Sequence, residues 1–131
     1  MNITGILLVD DDDSDKEILE EIISLHNLSI LVNYVENGVK ALELLDIDYV
    51  NGALPKLIIL DLNMPIMNGT QILEKLKADN RFSGIPVIIY STSINPFEKD
   101  KCISLGACSY LTKPTSLKEG VELVRSFSTF L

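Results

Sequence analysis

Three short segments of this chain are unbroken runs of large apolar residues, and each stops abruptly at a polar side chain. Ile6-Leu7-Leu8-Val9 ends at Asp10, Leu57-Ile58-Ile59-Leu60 at Asp61, and Val87-Ile88-Ile89-Tyr90 at Ser91. A strand with one face in water alternates apolar and polar residues, whereas a strand written this way must be covered on both faces. The chain is thereby restricted to a parallel sheet between two helical layers. Tyr110-Leu111-Thr112, followed by Lys113 and Pro114, reads as a shorter strand of the same sheet. Residues 30–35, with a polar Asn33, read as a more exposed edge strand.

Helical spacing fills the intervals. Ser14-Asp15-Lys16-Glu17 has the form of a capping box, and Ile18, Leu19, Ile22 and Ile23 behind it predict a helix to about residue 26. Val39, Leu42 and Leu45 mark a second helix, and Ile72, Leu73 and Leu76 mark a third that starts after Gly69. Pro96 suits the first turn of a fourth, with Ile103 on its apolar side and Gly106 as its stop. Leu117, Val121 and Val124 form the last stripe, opened by a second box, Ser116 to Glu119. Residues 46–55 read as a loose connector and the place for a long surface loop. Five strands alternating with five helices, joined by right-handed crossovers, make an open doubly wound α/β sheet.

At 131 residues the chain is one domain, too short for a separate output module of ordinary size. A hydrophobic fraction of 47% excludes intrinsic disorder. Nineteen acidic against eleven basic residues leave a net charge of −8, which argues against nucleic acid and anionic membrane surfaces as partners. Cys102, Cys108 and a single histidine, His26, cannot make a zinc site, and the cysteines read as small apolar side chains. With neither a signal peptide nor an apolar stretch of membrane-spanning length, a reducing cytoplasm is the expected location.

In doubly wound sheets ligands bind beyond the carboxyl ends of the strands, so the residue that follows each run carries the information. Those residues are Asp10 to Asp13, Asp61, Ser91 and Lys113. Asp10, Asp11 and Asp61, brought close together, would resist full ionisation unless a hard cation joined them, and an all-oxygen set favours Mg²⁺, with Mn²⁺ able to substitute. A hydroxyl and an ammonium suit phosphoryl oxygens. Together these groups would let an aspartate attack phosphorus and form an acyl phosphate, and Asp61, alone on a middle strand, is the candidate. Asp12, Asp13 and Asp15 read as a solvated helix start that favours the positive end of the helix dipole.

Val9-Asp10-Asp11, the segment from Asp61 through Met64-Pro65 to Asn68-Gly69, Ser91, and Tyr110-Leu111-Thr112-Lys113-Pro114 together resemble the receiver domain of two-component response regulators. The resemblance covers the whole chain and is most specific around Asp61. It implies a flavodoxin-like sheet in strand order 2-1-3-4-5, for which a chemotaxis receiver is a known example. It also implies a stand-alone receiver with no output domain, not a turnover enzyme, working as a phosphorylation switch in the cytoplasm.

Carried over by position, Asp61 would take a phosphoryl group from a sensor histidine kinase or phosphotransfer protein. Asp11, Asp61 and the backbone carbonyl of Asn63 would ligate the metal, and Asp10 would act through bound water. Lys113 would pair with Asp61 and then with the phosphoryl group, helped by a cis Lys113–Pro114 bond. Ser91 and Tyr110 would form the switch pair, and Asn63 and Ser93 would tune the lifetime of the phosphorylated form. Output would pass by protein contact through residues 96–127, either to a downstream protein or to a second copy. Residues 106–117 also resemble single-domain receivers that work with phytochrome-type kinases.

Two other readings compete. Asp10 to Ser14 resembles the start of haloacid-dehalogenase-type phosphatases, which would make Asp10 the nucleophile, although no acidic pair follows Lys113 and the chain is short for that fold. A degenerate receiver that binds partners without phosphorylation is the other, disfavoured because every residue of the acyl-phosphate set is present.

Overall fold

In a computed structural model, which describes residues 4–25, 30–64, 66–92 and 94–130, each apolar run is a strand. The order is β1 (Thr4–Val9), α1 (Asp13–Leu25), β2 (Leu31–Val35), α2 (Gly38–Val50), β3 (Leu57–Asp61), α3 (Gly69–Ala78), β4 (Val87–Ser91), α4 (Pro96–Ser104), β5 (Ser109–Thr112) and α5 (Leu117–Ser128). The five strands form one sheet in the order β2-β1-β3-β4-β5, parallel throughout, as expected. No helix among the described residues is long and apolar enough to cross a membrane.

The unbroken runs are explained by two cores. Leu7, Val9, Ile58, Leu60, Val87 and Ile89 pack under α2, α3 and α4, while Ile6, Leu8, Leu57, Ile59 and Ile88 pack under α1 and α5. Successive side chains leave opposite faces of a strand, so burial on both sides requires every residue of the run to be apolar. The edge strand β2 is half-buried, as its Asn33 implied.

The register levels the strand ends. Val9 lies opposite Leu60, Asp61 opposite Tyr90, and Ser91 opposite Thr112. Asp10, Asp61, Ser91 and Lys113 therefore reach one rim.

The helices depart from the expected pattern in their details. The connector expected over residues 46–55 is helical as far as Val50, and the chain turns at Gly52 with φ +67°. Ile47, Tyr49 and Val50 on that last stretch are exposed, so burial of an apolar face does not hold it. Its helical state is held by a tertiary contact instead: Arg81 lies 5.5 Å from the Tyr49 ring and 2.9 Å from Asp46.

Helix α1 starts at Asp13, and the Ser14 box does not form. Ser14 donates from both its N–H and its hydroxyl to Asp12 Oδ1, because the shorter aspartate one residue before the helix is already placed to accept. The second box is displaced as well. Ser116 accepts from Glu119 N–H, but the Glu119 carboxylate reaches back to the N–H and hydroxyl of Thr115.

On α4 the buried residue is Cys102, not Ile103, which is 43% exposed. On α5 Leu117 is exposed and the buried set is Gly120, Val124 and Phe127. Gly120 lets α5 approach α1, since a Cβ there would lie 2.3 Å from Ile22 Cδ1. No peptide bond among the described residues is cis, so Lys113–Pro114 is trans, the isomer an X–Pro bond intrinsically prefers. His26, Pro65 and Ser93 lie outside the described residues.

Candidate functional site

Asp10 leaves β1 fully buried. Its Oδ1 accepts the Asp12 N–H at 2.9 Å, which turns the chain into α1. Its Oδ2 is buried and receives no hydrogen bond; Lys113 Nζ lies 3.2 Å away but out of line. Burial, reinforced by the neighbouring Asp15 and Asp61 carboxyls, pushes Asp10 up to about 8.

Asp61 closes β3 at 4% exposure, with the Asn63 N–H 3.3 Å from its Oδ1. Burial raises its pKa too, against the opposing pull of Lys113. The loop after it is fixed by the start of α3. Asn68 and Gln71 form a reciprocal capping box, and Gly69 N–H donates to Leu62 carbonyl at 3.0 Å. A Cβ on Gly69 would come within 2.4 Å of the Asp61 carbonyl oxygen, so only glycine permits this approach of helix to strand end.

Asp11 is exposed, yet one carboxylate oxygen from each of Asp10, Asp11 and Asp61 falls within 4.8 Å of the others. Two like charges at that distance repel by about 3 kcal/mol at an effective dielectric of roughly 20. One ammonium cannot neutralise three such groups. The all-oxygen donor set, the buried Asp10 Oδ2 without a hydrogen bond and the raised carboxyl pKa values fit a hard divalent cation, and the residues that would hold one are these three aspartates.

Lys113 arrives from the end of β5, its N–H donating to the Ser91 carbonyl at 2.6 Å. Its side chain, 14% exposed, runs beside the Tyr90 ring, with Nζ 5.6 Å from the ring centroid. Burial pulls its pKa down, but the Asp15, Asp10 and Asp61 carboxylates outweigh that and lift it above the ordinary lysine value. Ser91, at 2% exposure, lies between Asp61 and Lys113 on the same rim. Tyr110 is buried at 4%, its hydroxyl 3.4 Å from Glu98 on α4.

The structure therefore assembles Asp10, Asp11, Asp61, Asn63, Ser91 and Lys113 on one rim, with Tyr110 behind Ser91 on the neighbouring strand. It corrects the reading of Asp15. That carboxylate is only 12% exposed and stands 2.5 Å from Lys113 Nζ, the shortest ion pair at the site. A signal for it was present in the sequence, since Asp15, Leu19 and Ile22 are spaced i, i+4, i+7 and so share the buried face of α1. Asp12, by contrast, is exposed as expected and serves the helix start.

The family model for the response regulator receiver domain matches residues 6–125. The response regulator Rcp1 of a Synechocystis species is 30% identical over 127 residues, covering 95% of this chain and 86% of the relative. The chemotaxis protein CheY1 of Helicobacter pylori is 35% identical over 122 residues, covering 91% and 94%. Among solved structures, the phosphorylated cyanobacterial phytochrome response regulator RcpA superposes with a TM-score of 0.85 at 31% identity, over 98% of this chain and 93% of that one. The Mn²⁺-bound form of Rcp1 gives 0.82 at 29% identity, over 97% and 93%.

Proposed function

The chain belongs to the response regulator receiver family of two-component systems, signalling domains phosphorylated on aspartate, and from that premise we propose that Asp61 is the residue that takes the phosphoryl group. The observation that carries this is the placement of Asp61 at the end of the central strand, grouped with Asp10 and Asp11 and 3.7 Å from Lys113.

The donor is a phosphohistidine on a sensor histidine kinase or phosphotransfer protein, and a phytochrome-type kinase is the class to try first, given the likeness to RcpA. An Asp61 oxygen attacks phosphorus, the P–N bond of the phosphohistidine breaks, and the departing imidazole keeps the electron pair and gains a proton from water. Mg²⁺ would be held by Asp11, Asp61 and the Asn63 carbonyl, with Asp10 beside them, and would supply charge neutralisation on the phosphoryl oxygens. Lys113 neutralises a further oxygen, and the Ser91 hydroxyl donates to a third.

Engagement of Ser91 is transmitted to Tyr110 and through its Glu98 contact to α4. Helix α4 carries Phe97 at 86% exposure and Ile103 at 43%, apolar groups suited to a downstream protein or a second copy. Output by protein contact in the cytoplasm, with no nucleic acid or membrane partner, completes the reading.

The test is intact-mass analysis after incubation with acetyl phosphate and Mg²⁺. A single adduct that requires the metal and is lost in Asp61→Asn supports the assignment, while an adduct that survives in Asp61→Asn overturns it. A phosphatase with Asp10 as nucleophile is not favoured: the receiver family model spans residues 6–125, and Asp10 is fully buried with its Oδ1 engaged by the Asp12 N–H.

A further inference from the structure

Lys113 is closer to Asp15 than to the proposed phosphoryl acceptor. Its Nζ stands 2.5 Å from Asp15, 3.2 Å from Asp10 and 3.7 Å from Asp61. Asp15 sits in the first turn of α1, a helix anchored by the buried Leu19, Ile22 and Ile23, so its carboxylate is carried by a rigid element. At 12% exposure it has little water to fall back on, and its bond to Lys113 is of the short, charge-assisted kind.

We propose that Asp15 is a positioning residue that competes with the phosphoryl group on Asp61 for the Lys113 ammonium, and so limits the lifetime of the phosphorylated form. The inference rests on Asp61 being the acceptor. Two effects act in the same direction. To serve the phosphoryl oxygens, Lys113 must loosen its bond to Asp15. Asp15 also places a fourth carboxylate beside Asp10, Asp11 and Asp61, and phosphorylation of Asp61 replaces one negative charge there by up to two. The added charge then repels Asp15, which the first turn of α1 and its bond to Lys113 hold beside the cluster. Asp12 and Asp13 do not share this property, because neither has an ion pair with Lys113 among the described residues.

The experiment uses the full chain with acetyl phosphate and saturating Mg²⁺. The donor is then removed by rapid desalting, and decay of the adduct is followed by intact mass. Asp15→Asn, which keeps the shape and removes the charge, should retain the adduct about three- to tenfold longer than wild type, the effect of one screened like charge. Asp15→Glu restores the charge and should decay at close to the wild-type rate.

A second readout separates repositioning of Lys113 from a general loosening of the fold. The Lys113 Nζ resonance in NMR should move on phosphorylation of wild type, and in Asp15→Asn it should start nearer its phosphorylated position. Should Asp15→Asn melt early, Asp15→Ser tests the same decay. An adduct on Asp61 with an unchanged or shorter lifetime in the folded variant overturns the competition and leaves the acceptor intact. An adduct absent from wild type, or located elsewhere than Asp61, overturns the acceptor and the competition together.

Discussion

The two rims of the sheet handle charge in opposite ways. At the amino end of β4, Lys77 reaches from α3 to the carbonyls of Ser83 and Ile85 at 3.1 and 3.0 Å, and burial lowers its pKa. Beside it Arg81 is matched by Asp79 at 2.8 Å and Asp46 at 2.9 Å and lies over Phe82. Each cation there has a partner suited to its geometry, and the cluster closes the loop between α3 and β4. At the carboxyl end, Asp10, Asp15 and Asp61 gather around the Lys113 ammonium with Asp11 beside Asp10 and Asp61, and burial pushes Asp10 up to about 8. A matched cluster is sufficient in itself. A mismatched one stores repulsion that a bound cation relieves, which makes it the candidate functional rim.

The largest effect expected at the mismatched rim is from Asp61→Asn, which should abolish the phosphoryl adduct in intact-mass analysis while leaving the melting temperature near or above that of wild type. Asp10→Asn comes next, and should move function and stability in opposite directions. Its divalent affinity should fall at least about tenfold by calorimetry, from loss of a charged group at the site. In metal-free protein its unfolding free energy at pH 8 should rise.

The sign follows from linkage. The folded pKa of Asp10, about 8, lies above that of an unfolded aspartate, so the folded state binds the proton more tightly. Its contribution to stability is complete below the unfolded value and is lost as pH rises through the folded one. Metal-free wild type should therefore gain stability from pH 8 downward through this group, and Asp10→Asn should show a flatter slope in denaturant titrations.

At the matched rim the pattern reverses. Lys77→Met keeps the stem and removes the ammonium, which should cost about 1–2 kcal/mol from two lost charged hydrogen bonds and leave metal affinity and phosphorylation unchanged. A change in phosphorylation there would break the division between the rims. The smallest effect is expected from Asp12→Asn. Its oxygen still accepts from Ser14, so stability should hold within about 0.5 kcal/mol and Mg²⁺ affinity within a few-fold. A loss of affinity as large as that in Asp11→Asn would extend the metal site into the helix start.

Legibility differed by element for physical reasons. The strands were plain because burial on both faces leaves no polar position in the run. Helix faces were less so. Ile103 and Leu117 extend apolar stripes that the packing does not use, whereas Cys102 and Gly120, small and easily passed over, occupy the contact. The last turn of α2 leaves its apolar residues exposed and is held by Arg81. At the rim, Asp10, Asp11, Asp61, Ser91 and Lys113 could be grouped because each follows a buried strand. Asp15 was misassigned because a charge in a first turn is usually solvated, although its spacing to Leu19 and Ile22 placed it on the buried face.

Sequence alone was enough to determine the sheet and which strand-end side chains share one rim. Continuous aliphatic runs can be buried in only one kind of layer, and parallel strands send their carboxyl ends to one side. The tertiary structure alone decided which carboxylate holds Lys113. Three candidates on three different elements stand 2.5, 3.2 and 3.7 Å from its nitrogen, and differences near 1 Å between distant segments are set by how helices seat on the sheet. No periodicity in the chain encodes them.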